Sequence, residues 1–180
     1  MNDAMETYAG FWQRAKAFVF DYMGIVLYLA FITGLFVFVN SFTDISQRLF
    51  ANRVLAQTSA FLLVTFPTTM YFAIGESSAK QATWGKRRMG LKVVDRNENQ
   101  ISFWRAFART LLKFIPWELA HTLIWEINFS TGSFPAFINY GFALVYILIG
   151  LNIASLVMTK TKQTLYDFLA GTFVVGQQHP

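Results

Sequence analysis

The chain has 180 residues, enough for one domain, with 54% hydrophobic, 18% aromatic and only 14% charged residues. Soluble domains carry about 25% charged residues, so this composition and its apolar runs of 18 or more exclude an ordinary soluble protein and indicate an integral membrane protein. The net charge of +5 fits cytoplasmic loops facing anionic lipid, and the lack of cysteine excludes disulfides, thiolate metal sites and a cysteine nucleophile.

The first span is predicted at about Ala17–Val39, after Arg14 and Lys16. Its apolar run exceeds the roughly 7–15 residues of a signal-peptide core, and no small-x-small cleavage site follows, so it reads as an uncleaved anchor. Asp21 lies inside the run. Arg14 and Asp21 are two helical turns apart on nearly the same face, their Cα atoms roughly 10 Å apart along the axis. A charge inside a membrane helix costs about 2.5 kcal/mol or more. Two roles fit. Asp21 can be an ion or proton site tuned by Arg14. Alternatively, Arg14 snorkels to the interface and Asp21 ties two helices together.

The second span is predicted at about Val54–Ile74, with Pro67 inside it. Proline removes a backbone donor and kinks a helix; Thr65, Thr68 and Thr69 are placed to satisfy freed carbonyls. A basic loop follows over 76–105. Leu91–Asp95 alternates like a strand, Asn97-Glu98-Asn99 supplies turn residues, and Ile101–Phe103 is predicted to return as a hairpin. Ser102 is the expected N-cap of the next helix. Gly85-Lys86 is no P-loop, because Lys80 and Arg87 stand where glycine and Ser or Thr are required.

That next helix carries Arg105, Arg109 and Lys113 at four-residue spacing, and a third span is expected at 106–127. Glu118 and His121 share one face. A di-metal bundle needs two Glu-x-x-His copies and more carboxylates, so no metal site is expected. A proton relay fits, since histidine titrates near physiological pH, as do plain interhelical hydrogen bonds. The fourth span is predicted at 134–158. Asp167 lies in a short segment beyond Lys160 and Lys162, expected at the cytoplasmic surface as an ion or proton site, or as a cap or salt-bridge partner meeting Arg14 or the basic loop.

With four spans, thirteen of the fifteen Lys and Arg face the cytoplasm, and both termini lie inside. With three, the Arg105 helix lies in the interface and Lys160 and Lys162 move to the wrong side. Four is therefore preferred, although it places Glu118 and His121 deep in the bilayer. Lys86, Arg87, Arg88, Arg105 and Arg109 are the expected contacts for anionic lipid headgroups; no fold signature supports nucleic acid.

Three stretches together resemble the RDD family of bacterial membrane proteins, named for one arginine and two aspartates. They are Ala9-Gly10-Phe11-Trp12-Gln13-Arg14 through Asp21; Ala82-Thr83-Trp84-Gly85-Lys86-Arg87-Arg88-Met89-Gly90-Leu91-Lys92-Val93-Val94-Asp95 with Ser102-Phe103-Trp104-Arg105-Ala106; and Gln163-Thr164-Leu165-Tyr166-Asp167-Phe168-Leu169-Ala170-Gly171-Thr172. Tyr166 departs from the histidine expected there, and Pro116–Glu126 is richer in ionisable residues than a generic member. The resemblance implies a domain suspected of transport in a bacterial inner membrane, and it names no substrate.

The expected architecture is an all-α bundle of four transmembrane helices with a small cytoplasmic β-hairpin and a C-terminal amphipathic helix, as one domain. The expected function is transport of small ions or solutes, proton-coupled through Asp21, in a homo-oligomer because four helices are few for an enclosed pathway. The alternative is a non-transporting scaffold or accessory subunit of a larger membrane complex. No cofactor is implied. An enzyme is not expected, since neither a nucleophile–base pair nor a complete metal set is visible.

Overall fold

The computed structural model describes residues 8–132 and 135–176. Its elements run α1 (Phe11–Asn40), α2 (Ile45–Leu49), α3 (Arg53–Ala60), a π-helical turn (Phe61–Thr65), α4 (Phe66–Ser77), α5 (Trp84–Arg88), β1 (Leu91–Val94), α6 (Phe103–Phe129), α7 (Phe137–Met158), α8 (Leu165–Ala170) and β2 (Phe173–Gly176). Among the described residues, three helices are long and apolar enough to cross a membrane: α1, the continuous stretch Arg53–Ser77, and α7. Helix α6 has 27 residues, but its five charges among them keep it out of that set. Phe134, the expected start of the fourth span, lies outside the described residues.

The chain divides into two compact units, one of residues 1–23, 69–113 and 150–180, the other of residues 24–68 and 114–149. In the first unit the core gathers Ala9, Ala17, Ala73, Leu91, Val93, Ile101, Ala106 and Val174, with Met89, Phe103 and Phe107 packed against it. The small alanines at 9, 17, 73 and 106 let backbones approach closely, as small residues do in membrane helix contacts.

The strand at Leu91 forms, but its partner differs from the expected one. β1 pairs antiparallel with β2, Leu91 opposite Gly176 and Val94 opposite Phe173. Tyr8 adds a single bridge to Val175, and the Ala9 N–H donates to the Val174 carbonyl at 2.9 Å. The local turn does close: the Asp95 carboxylate accepts from the Asn97 and Asn99 N–H groups at 2.8 and 2.9 Å. The return stops at one bridge, Val94 to Gln100. Ser102 then begins α6, its hydroxyl accepting from the Arg105 N–H at 3.3 Å, which leaves no length for a return strand.

In the second unit, Asn52 caps α3 by accepting from the Leu55 N–H at 3.0 Å. The π turn sits just before Pro67, with the Phe66 N–H reaching back to the Phe61 carbonyl. Proline has no N–H for the carbonyl four residues earlier, which is that of Leu63. The Tyr28 hydroxyl donates to that carbonyl at 2.7 Å. Thr68 donates to the Val64 carbonyl at 2.7 Å, but Thr65 turns its hydroxyl to Glu118. The expected threonine repair thus falls mainly to a tyrosine 35 residues upstream.

Candidate functional site

Asp21 is buried in the first unit, 2% exposed. Thr83 caps α5, so the first turn of α5 presents backbone N–H groups, and the one on Gly85 donates to Asp21 Oδ1 at 2.7 Å. The Tyr71 hydroxyl donates to the same oxygen at 2.6 Å, and the Thr83 hydroxyl to Oδ2 at 2.6 Å. Tyr71 in turn accepts from the Trp84 N–H at 3.2 Å. Only glycine fits at 85: a Cβ there would overlap the Ala17 carbonyl oxygen and stand 2.8 Å from Asp21 Cγ. An ionised carboxylate has about four acceptor positions, and three are filled. Asp21 therefore clamps α1 to the stretch from Tyr71 to Gly85.

Arg14 does not pair with Asp21. Its Nη1 donates to Asp167 Oδ2 at 2.5 Å, its Nη2 to the Lys162 carbonyl at 2.5 Å and its Nε to the Ala9 carbonyl at 3.0 Å. Asp167 is fully buried rather than lying on a surface. It closes a capping box with Thr164, and α8 ends at Gly171, whose φ of +62° is left-handed and suits glycine. Arg109 joins from α6: Nε and Nη2 donate to Asp167 Oδ1 at 2.8 and 2.6 Å, and Nη1 donates to Glu76 Oε2 at 2.6 Å. Lys86 Nζ donates to Glu76 Oε1 at 2.5 Å. The Arg109 guanidinium lies 5.1 Å from the Tyr166 ring centroid, and Lys113 Nζ lies 3.0 Å from that of Phe72.

Burial alone would raise the Asp167 carboxyl, but Arg109 and Arg14 outweigh it and hold the group well below the usual carboxylate range. Burial also lowers the Lys86 ammonium, against the opposing pull of Glu76. The Tyr166 phenol is pushed up by burial first and then by Asp167. Beside these groups lies a cavity of about 70 Å³, lined among others by Arg14, Asp21, Lys86, Arg109 and Lys113.

The expected lipid contacts divide. Lys86 and Arg109 are buried in the ion cluster and unavailable to headgroups. Arg87 and Arg88 are exposed, with Arg88 5.4 Å from the Trp84 ring centroid. Arg105 is exposed and stands 3.8 Å from Asp95.

The second unit holds a polar seam along α6. Arg53 pairs with Glu126, Gln57 donates to the Thr122 hydroxyl at 2.8 Å, and Thr65 donates to Glu118. The π turn ends at Thr65, whose hydroxyl meets Glu118. His121 Nδ1 is 3.7 Å from Glu118 Oε1, and its ring meets Trp117 edge-on at 4.5 Å. Both side chains are about one-third exposed. Glu118 and His121 are thus brought together as expected, but neither joins Arg14, Asp21 and Asp167 in the first unit.

Sequence reasoning missed Glu76, Tyr71, Thr83, Gly85 and Lys113 as members of the charged site. An acid directly after an apolar span was the available signal for Glu76. Nothing local distinguishes Tyr71 or Thr83, which matter only because α5 folds onto α1.

Comparison with known families matches this chain to the RDD family over residues 8–171. The chain belongs to the RDD family. Neither the curated proteins nor the solved structures contain a match to it.

Proposed function

We propose that this RDD-family membrane protein moves small ions or solutes across the bacterial inner membrane in exchange for protons carried by Glu118 and His121. The carrying observation is the sparse environment of Glu118: one hydroxyl donor and an imidazole 3.7 Å away. A proton carrier must change charge without dismantling its surroundings. Protonating Asp21 would forfeit one of three short hydrogen bonds, so Asp21 serves the fold and Glu118 takes the carrier role. π turns occur often at functional sites, and the one here ends at Thr65, the donor to Glu118.

In this reading α6 is the third of four spans, over 106–127, and both termini are cytoplasmic, which keeps thirteen of the fifteen Lys and Arg inside. Exposed Trp12 and Trp104 suit the lipid–water boundary, and Arg87, Arg88 and Arg105 suit anionic headgroups. Four helices are few for an enclosed path, so the working unit is a homo-oligomer. A second reading, a scaffold that docks a partner on its exposed arginines, is favoured by Arg87 and Arg88 standing together at the end of α5.

Sealed proteoliposomes test the transport reading. Gradients of pH, sodium and potassium are imposed in turn on wild type, Glu118→Gln and Asp21→Asn, matched for folding by tryptophan fluorescence and gel filtration. Flux in the wild type that disappears in folded Glu118→Gln supports the proton carrier. Unchanged flux in that variant removes Glu118 from the role. Absence of flux in every gradient, with a stoichiometric partner co-purifying, selects the scaffold.

A further inference from the structure

We infer that the second unit holds a site for one membrane phospholipid with a zwitterionic, amine-bearing headgroup, its acyl chain lying in a groove between α1, α2, the π turn and α6. Ile32, Phe36, Phe50, Leu63 and Trp125 wall this groove, whose volume is about 210 Å³. Rings brace the walls: Phe36 meets Phe50 edge-on at 6.1 Å, and Phe50 meets Trp125 at 5.9 Å. Thr33, Ser59 and Ala60 are the small side chains that leave the hollow open. Among the described residues no charged side chain lines it. An apolar cavity of roughly 150 Å³ stays dry and takes a benzene-sized molecule, so this groove takes a longer run of carbon.

Depth and length select an acyl chain. Ile32 lies eight residues before Asn40, where α1 ends, a distance of about 12 Å along the axis. One leaflet's hydrocarbon is about 15 Å deep, half of the bilayer core, so the groove follows most of a leaflet. At its deep end the Tyr28 hydroxyl, one turn before Ile32, pins α1 to the Leu63 carbonyl. At its shallow end the chain turns polar, and Arg48 directly precedes the lining residues Leu49 and Phe50. Arg48 is exposed, and among the described residues no carboxylate pairs with it; Arg53 is already taken by Glu126. Asp44 stands one turn before Arg48, on the same face. It too is exposed, and its side chain makes no cap to α2. A free cation and a free acid one turn apart match the phosphate and the ammonium of such a headgroup, and their balance disfavours a purely anionic one. The site goes beyond the transport reading and stands whether or not the protein moves ions.

The test titrates the detergent-solubilised full chain with phosphatidylethanolamine brominated along its acyl chains, which quenches indole fluorescence on contact. The difference between wild type and Trp125→Phe isolates the indole in the groove. That difference should fall along a saturable, single-site curve, and brominated phosphatidylglycerol should need several-fold more lipid. Ala60→Leu, which fills the hollow, should abolish the saturable phase, and Arg48→Gln should weaken it a few-fold, as loss of an exposed charge contact does. Quenching that grows only in proportion to added lipid, equal curves for the two headgroups, or a saturable phase that survives in Ala60→Leu would overturn the site. A measurement on unaltered protein guards against a variant that fails to fold. Native mass spectrometry of wild type supplied with both lipids in equal amount should show phosphatidylethanolamine retained; equal retention of the two, or retention of neither, would equally overturn it.

Discussion

In the first unit Asp21 accepts three hydrogen bonds and Asp167 is gripped by two arginines, whereas in the second unit Glu118 receives one hydroxyl and looks onto a histidine. Asp21 and Glu118 lie on long helices and Asp167 on the short α8, and the two arrangements differ in how many partners depend on the charge. A carboxylate whose every oxygen is engaged fixes the elements around it. One with spare capacity can change protonation while its neighbours stay where they are. Partner number and burial together separate Asp21 and Asp167, at most 2% exposed, from Glu118, about one-third exposed.

The strongest way to break that contrast is Arg109→Met. It removes the cation shared by Asp167 and Glu76, both fully buried. Deleting one partner of a buried ion pair destabilises by about 3–5 kcal/mol. Denaturation in detergent should show a loss of that order; a loss near zero would mean the cluster does not hold the first unit together. Gly85→Ala should follow at about 1–3 kcal/mol, the usual cost of overpacking, because the new Cβ meets backbone at Ala17.

Acid sharpens the contrast through Asp167. Its folded carboxyl lies below the unfolded value of about 3.9, so its contribution is fully present above that value and is lost as pH falls through the folded one. Wild-type stability should hold from pH 7 to about pH 5 and then decline below about pH 4. Asp167→Asn should start lower and decline less steeply over the same range. Parallel acid profiles for the two proteins would show that other carboxylates dominate.

Tyr28→Phe probes the second unit. It strands the Leu63 carbonyl that Pro67 leaves without its helical donor, and should cost about 1–2 kcal/mol. That residue also illustrates what the sequence conceals. Membrane character, the RDD resemblance and the helix starting after Ser102 were legible, because composition, a spaced motif and a capping residue carry them locally, whereas Arg14 read first as the partner of Asp21 and its pairing with Asp167 spans 153 residues. The partner of β1 was not legible either, since β2 lies about 80 residues downstream and the nearby turn advertised a hairpin. Nor was the clamp around Asp21: Tyr71, Thr83 and Gly85 converge only once α5 packs on α1. Lys86 and Arg109 read as surface charges because a basic run looks solvated, and their burial depends on Glu76, ten residues before Lys86, and on Asp167, 58 residues beyond Arg109.

The smallest expected effect on stability makes the sharpest comparison, because one chemical change is applied in both units. Replacing a carboxylate by its amide keeps the size, removes the charge and turns one acceptor oxygen into a donor nitrogen. At Asp21 both oxygens face donors, so Asp21→Asn must set an amide N–H against Thr83, or against Tyr71 and Gly85, and should cost about 1–3 kcal/mol. At Glu118 Thr65 donates to Oε1 and His121 Nδ1 stands 3.7 Å from that same oxygen, so the amide can keep its oxygen in the Oε1 place and turn its nitrogen to the other. Glu118→Gln should therefore stay within about 0.5 kcal/mol of wild type, like an ordinary uncoupled substitution. Equal losses for the two variants would erase the distinction between a clamped and an available carboxylate, and with it the reason for assigning the proton to Glu118.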